Sequence, residues 1–244
     1  MNRIELLGIP MDTSTMKETV SCIDNRISNK QFTQHVVVNV AKLVNMQTDQ
    51  DLRASVEACD IINIDGMGIV WGARLLGLDI PERVAGIDLF HELLSLSASK
   101  GYPVFLLGAE QEIVEAVAHQ ATEQYKKLNI AGYHHGFFWK DEQSIVDKIK
   151  ASGAKLLFVA ISSPKKETFI NKWKSQLGVD FVMGVGGSFD IVAGKINRAP
   201  KWMQDFGLEW LFRVIQEPRR MWKRYLVTNS LFAWFLIKEK FKTP

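Results

Sequence analysis

Asp65 stands directly after the apolar run Ile61-Ile62-Asn63-Ile64 and just ahead of Gly66 and Gly68. A carboxylate at the end of a buried strand, beside glycines, is partly desolvated and aimed into a cleft, the environment a general base needs. The same spacing suits an aspartate that caps a helix beginning near Gly68. Ser163-Pro164-Lys165-Lys166-Glu167 reads as a helix start, with Ser163 as cap and Pro164 in the first turn. Two lysines there oppose the helix dipole. A bound phosphate reverses that sign, because helix N–H groups and both ammonium groups favour it; two solvated lysines are the plainer alternative. Gly184-Val185-Gly186-Gly187-Ser188-Phe189-Asp190 is a glycine-rich stretch whose N–H groups suit a pyrophosphate, and Leu107-Gly108-Ala109-Glu110 is a second, weaker turn of that kind. Arg83 fits a phosphate or a carboxylate equally well.

Several chemistries find no support. Asp49-Gln50-Asp51 has the spacing that places a divalent ion between carboxylates, but it lies directly ahead of a helical stretch, where acidic residues stabilise the N-terminus. The five histidines show no metal spacing, and two cysteines, Cys22 and Cys59, are too few for a disulfide framework or a Cys-based zinc site. There is no G-x-G-x-x-G fingerprint, P-loop or G-x-S-x-G.

Positioning these residues falls to short apolar runs that alternate with amphipathic stretches. Expected strands are Val36–Val40, Ile61–Ile64, Val104–Leu107, Leu156–Ile161 and Phe181–Val185, with Ile4–Leu7 as an extra edge strand. Unbroken apolar runs suit strands covered on both faces. Thr15 and Glu18 have capping-box spacing, Asp49 or Asp51 caps a helix running to Ala58, and Glu110–Leu128 and Glu142–Ala151 read as further helices. The alternation predicts an α/β, Rossmann-like fold with a mainly parallel sheet and helices on both faces. Ligands then collect at the carboxyl ends of the strands, where Asn39, Asp65, Gly108, Ser162-Ser163 and Gly186-Gly187 lie.

Charge is uneven along the 244 residues. Net charge is +3, yet residues 201–244 hold nine Lys/Arg against four Asp/Glu, together with four of the seven tryptophans. The composition changes near Arg198–Pro200, which predicts an α/β core over 1–197 and a basic, aromatic helical appendage over 198–244. Basic residues interleaved with rings suit an anionic bilayer or a lipid diphosphate; a helix packed on the core, a nucleic-acid surface and a homo-oligomer contact are alternatives. The longest apolar run, Leu226–Ile237, is 12 residues, short of the roughly 18 of a membrane span. The start, MNRIELLGIPMD, lacks the features of a secretion signal. A cytoplasmic protein is expected.

Taken together, NVAKL (39–43), DGMGIVW (65–71), ERVAGIDL (82–89), FLLGA (105–109), SPKKE (163–167), GVGGSFDIVAGKINRAPKW (184–202) and GLEWLFRVIQEPRRMWKRY (207–225) resemble the WecG/TagA/CpsF family of bacterial glycosyltransferases. The resemblance implies an inverting, metal-independent enzyme without cofactor. It would transfer a hexose derivative (N-acetylmannosamine, its uronic acid or a relative) from a UDP-sugar to a polyprenyl-diphosphate-linked acceptor. The work would be done peripherally, on the inner face of the cell membrane, in surface-polysaccharide synthesis. It makes Asp65 and Asn39 the candidate catalytic residues, Asp65 as the base. Arg83, Gly108, Ala109, Lys166, Glu167, Gly186, Gly187 and Asp190 are the candidate substrate contacts; Arg213, Arg219, Arg220 and Arg224 face the lipid acceptor. No metal or nucleic acid is implied. This chain departs from the family pattern at Val37, where a threonine is usual, at Ser162, where a glycine is usual, and at Lys166, where a glutamine is usual. A non-catalytic, membrane-associated nucleotide-binding protein is the alternative.

Overall fold

The computed structural model describes residues 2–241; residues 242–244 of the expected appendage lie outside the described residues. Strands β1 (Arg3–Leu6) and β2 (Ile9–Asp12) form a hairpin whose two turn residues, Leu7 and Gly8, both have positive φ, 52° and 74°, as a tight hairpin turn requires. The chain continues through α1 (Met16–Ser28), β3 (Thr33–Val38), α2 (Val40–Asn45), α3 (Gln50–Glu57) and β4 (Ile61–Ile64). Next come α4 (Met67–Leu75), α5 (Gly86–Lys100), β5 (Val104–Gly108), α6 (Gln111–Gln124) and β6 (Ile130–His134). The last sheet elements are α7 (Glu142–Ala151), β7 (Leu156–Ala160), α8 (Lys165–Trp173), β8 (Phe181–Gly184) and α9 (Ser188–Val192). Three more helices follow among the described residues: α10 (Lys201–Asp205), α11 (Glu209–Gln216) and α12 (Pro218–Lys240).

Among the described residues the strands make one eight-stranded sheet, β1-β2-β4-β3-β8-β7-β5-β6. Only the β1–β2 pairing is antiparallel; the others are parallel. Side chains alternate between two covered faces. On one face Leu156 and Phe158 of β7 pack with Ile23, Phe90, Leu93 and Val117 from α1, α5 and α6. On the other, Leu157 and Val159 pack with Val146 and Phe169 of α7 and α8, while Ile62 and Ile64 of β4 meet α2, α3, α4 and α12.

Most expected elements are present, and the differences have local causes. The expected strand Val36–Val40 ends two residues early because Asn39 leaves it to cap α2, its Oδ1 accepting the Lys42 N–H at 3.0 Å. β2 contains Pro10 and has no apolar run, and β6 contains Gly132, so neither was expected. A β-carbon at Gly132 would lie 2.7 Å from the Phe105 ring, so packing demands the glycine that strand propensity disfavours. Thr15 and Glu18 form their capping box, and Asp49 rather than Asp51 caps α3. Ser163 does not cap α8: Pro164 occupies that place without a side-chain bond, following a cis Ser163–Pro164 peptide.

Candidate active site

The carboxyl ends of β4, β3, β8 and β7 adjoin, and the polar residues expected there are brought together. Asp65 follows β4, its N–H donating to Val38 O at 2.9 Å. It does not cap the next helix. Gly66 takes that place with φ 109°, a conformation that disfavours any side chain, and α4 has no side-chain cap. The Asp65 carboxylate turns instead toward the start of α5, where a β-carbon on Gly86 would approach Oδ2 to 3.7 Å. It keeps some contact with solvent, yet dense protein surrounds it. Burial pushes its pKa above the usual carboxylate value; Arg83 opposes, Glu209 reinforces, and the Gly86 N–H and Arg213 oppose again. The net result is a carboxylate readier to take a proton, held among fixed positive charges. Asn39 lies alongside, its β-carbon 4.0 Å from where one on Gly66 would be.

Three arginines share an electrostatic field with this carboxylate. Arg83 makes an ion pair with Glu209 of α11. Arg198 grips Asp88 of α5 through two bonds, 2.6 and 2.8 Å, and its Nε lies 3.8 Å from Glu209 Oε1. Arg213 of α11 comes within 3.9 Å of a β-carbon position at Gly187, as does Asp190 Oδ2. The segment that follows β8 thus reaches back across the strand ends. Gln216 fastens α11 to it by two bonds with the Asn197 backbone. Sequence reading did not single out Glu209, Arg198 or Asp88. All three lie inside the stretches that carry the family resemblance, which is the one signal that marked them.

The remaining expected residues divide by position. Gly186 has φ 52° and open space beside it, leaving backbone approachable. Gly108 is pressed against β7, where a β-carbon would lie 2.4 Å from Ala160 O; the Ala109 N–H donates to that same oxygen. Those two residues hold β5 against β7, and the Ala109 N–H is engaged there. Lys165 is exposed, with Nζ 5.4 Å from the Trp139 ring centre. Lys166, by contrast, is buried and faces Glu167 rather than the helix end. Lys42 and Lys166 both point at Glu167 Oε1, at 2.9 and 3.4 Å. Burial, then Lys42, brings Lys166 down to about 8 against the pull of Glu167. Burial pushes Glu167 up, but the two lysines outweigh it and hold it below its usual value. Arg224 of α12 adds to the positive field on Lys166. Arg219 and Arg220 are on the exposed surface, Arg220 pairing with Glu217 at 3.1 Å.

Outside the cleft, α10 to α12 display apolar side chains in quantity. Trp202, Phe206, Ile215, Trp222, Leu226 and Trp234 are all more than half exposed. Basic residues Arg219, Arg220, Lys223 and Arg224 lie among them. No helix among the described residues is long and apolar enough to cross a membrane.

Known families and proteins show similarity to this chain. The model of the glycosyl transferase WecG/TagA/CpsF family matches residues 4–244. Two relatives named N-acetylglucosaminyldiphosphoundecaprenol N-acetyl-beta-D-mannosaminyltransferase are similar to the chain. The one from Bacillus spizizenii is 36% identical over 173 residues, covering 71% of this chain and 66% of the relative. The one from Bacillus subtilis is 34% identical over 194 residues, covering 80% and 75%.

Proposed function

Because the chain belongs to the WecG/TagA/CpsF family of glycosyl transferases, we propose that it transfers an N-acetylhexosamine, N-acetylmannosamine first among the candidates, from its UDP derivative to a polyprenyl-diphosphate-linked N-acetylglucosamine. Both relatives' names describe that acceptor and that sugar. The observation that carries the reading is Asp65, a carboxylate of raised pKa at a strand end between Arg83 and Arg213.

In this mechanism Asp65 accepts the proton of the acceptor hydroxyl as its oxygen attacks the anomeric carbon, with inversion. A base works best when its pKa lies close to the working pH, and the buried setting moves Asp65 in that direction. Charge builds on the departing UDP, and preorganised guanidinium groups stabilise it more than they stabilise the ground state. Arg83 and Arg213 take that role, with Gly186 and Gly187 offering backbone to the diphosphate. Residues 198–244 act as the closing appendage, since α11 delivers Arg213 to the core. The exposed aromatic and basic face of α10 to α12 rests on the inner leaflet of the cell membrane, where the lipid acceptor resides.

The test is UDP release from a panel of UDP-sugars, with and without a short-chain prenyl-diphosphate N-acetylglucosamine, in EDTA. Acceptor-dependent release with UDP-N-acetylmannosamine supports the proposal. UDP binding without release from any donor, with or without added magnesium, refutes it.

A further inference from the structure

We propose that Glu209 is the resident anion of the donor-phosphate seat, a positioning residue whose carboxylate holds Arg83 until a nucleoside diphosphate displaces it. The inference rests on the reading of Arg83 as a phosphate contact and adds to it the group that occupies that contact beforehand.

Three observations support it. First, Glu209 engages two guanidinium groups from different parts of the chain, Arg83 ahead of α5 and Arg198 ahead of α10. Second, the fit is incomplete. Arg198 Nε is buried without a hydrogen-bond partner, and the nearest Glu209 oxygen, at 3.8 Å, is beyond bonding distance. A buried guanidinium N–H left open is costly. A diphosphate, with more oxygens than a carboxylate, can serve Arg83 and Arg198 together. Third, the charges do not suit an anion as they stand. Arg83, Arg198 and Arg213 are set against Asp65, Asp88, Asp190 and Glu209. A diphosphate entering beside four carboxylates meets repulsion unless one of them gives way. Asp88 is held by two bonds to Arg198, and Asp65 is needed for chemistry. Glu209 is the one carried on α11, which belongs to the closing segment rather than the sheet.

The exchange also explains how the base stays tuned. The groups facing Asp65 are Arg83, Glu209, Arg213 and, more distantly, Arg198. Glu209 raises the Asp65 pKa and Arg83 lowers it. When the donor takes Arg83, its own negative charge replaces that of Glu209, so Asp65 keeps a raised pKa with substrate bound.

The experiment measures UDP affinity calorimetrically at low salt for the wild type, Glu209→Gln, Arg83→Gln and the double variant. Removing the competing charge should tighten UDP binding in Glu209→Gln by about three- to tenfold. Arg83→Gln should weaken binding, and adding Glu209→Gln to it should give a clearly smaller gain than Glu209→Gln gives in the wild type, because only the relief of repulsion and not the release of Arg83 is left. The double variant, with a neutral pair in place of the ion pair, shows by its thermal unfolding whether the fold survives. A second readout is the acid limb of kcat/KM, which should move to lower pH in Glu209→Gln; a purely structural role for Glu209 leaves that limb in place. The inference is overturned if Glu209→Gln binds UDP no more tightly, or gains equally without Arg83. If Arg83→Gln binds UDP like the wild type, it is the phosphate assignment of Arg83 that fails.

Discussion

Gly72 offers a direct test of what holds α12 on the core. A β-carbon there would lie 2.7 Å from Phe232 Cζ and 2.9 Å from Leu236 Cδ1, closer than carbon atoms approach. Both are tips of buried α12 side chains, so a side chain at Gly72 competes for the volume they occupy. In Gly72→Leu two magnitudes oppose one another. Leucine improves the helix propensity of α4 by roughly 1 kcal/mol over glycine. Losing the seats of two large apolar side chains forfeits about 1.5–3 kcal/mol each, or about 3–6 kcal/mol of docking. Ile69, Val70 and Ala73 keep their places in the core beneath, so the helix that yields is α12. The expected outcome is rapid tryptic cleavage at Arg219, Arg220, Lys223 or Arg224, a core that still unfolds cooperatively, and turnover reduced more than tenfold. Gly72→Ala should show a weaker version. A Gly72→Leu protein whose α12 resists trypsin as the wild type does, with turnover intact, would refute the reasoning.

Asp65→Asn should lower turnover by about 10²–10⁴-fold, the usual worth of a general base, while UDP affinity changes little. Because burial raises the Asp65 pKa in the folded protein, ionisation opposes folding. That contribution to stability is complete below the unfolded pKa and is lost as pH rises through the folded one; Asp65→Asn should therefore melt higher than the wild type at neutral pH. Lys166 has the opposite sign: its folded value of about 8 lies below the ordinary 10.5, so folding favours the neutral amine and stability should rise between those pH values. Lys166→Met should flatten that rise in thermal melts across the same window. On the surface, the double variant Trp222→Ala/Trp234→Ala should retain its melting temperature, since both rings are more than half exposed. It should lose most of its co-sedimentation with vesicles containing anionic lipid; unchanged co-sedimentation would count against the membrane-facing role proposed for α12.

The sequence revealed the parts of this protein whose cause is local. Buried parallel strands announce themselves as unbroken apolar runs, and the polar residue that ends each run marks a strand terminus, which is how Asp65 and Asn39 came into view. Capping residues such as Thr15 and Asp49 were legible because cap and helix are neighbours in the chain. For Lys166 the spacing left a phosphate ligand and a solvated charge both open, and the burial that removes the second is set elsewhere in the chain. A β-carbon at Gly184 would lie 2.6 Å from Lys166 Cε, so the missing side chain at one position makes room for the lysine stem of another. The ion pair that faces it joins Glu167 to Lys42, two residues 125 apart in the chain.

Charge pairing is the general case of this limit. Arg83 and Glu209 are 126 residues apart, and Arg198 and Asp88 are 110 apart. No periodicity connects such residues, so composition supplies the charges without saying which of them meet. Arg83 shows why that matters for function. Spacing left its partner open between phosphate and carboxylate, two anions that compete for one guanidinium. In the structure the carboxylate of Glu209 is there. Under the proposed exchange both readings of Arg83 are correct in succession, the carboxylate before the donor binds and the diphosphate after. A cleft built this way keeps its arginines from standing as unpaired buried charges, which would be costly. It still yields them to a ligand with more oxygens and more charge, so the cost of closing over the donor is set by the ion pair that the donor replaces.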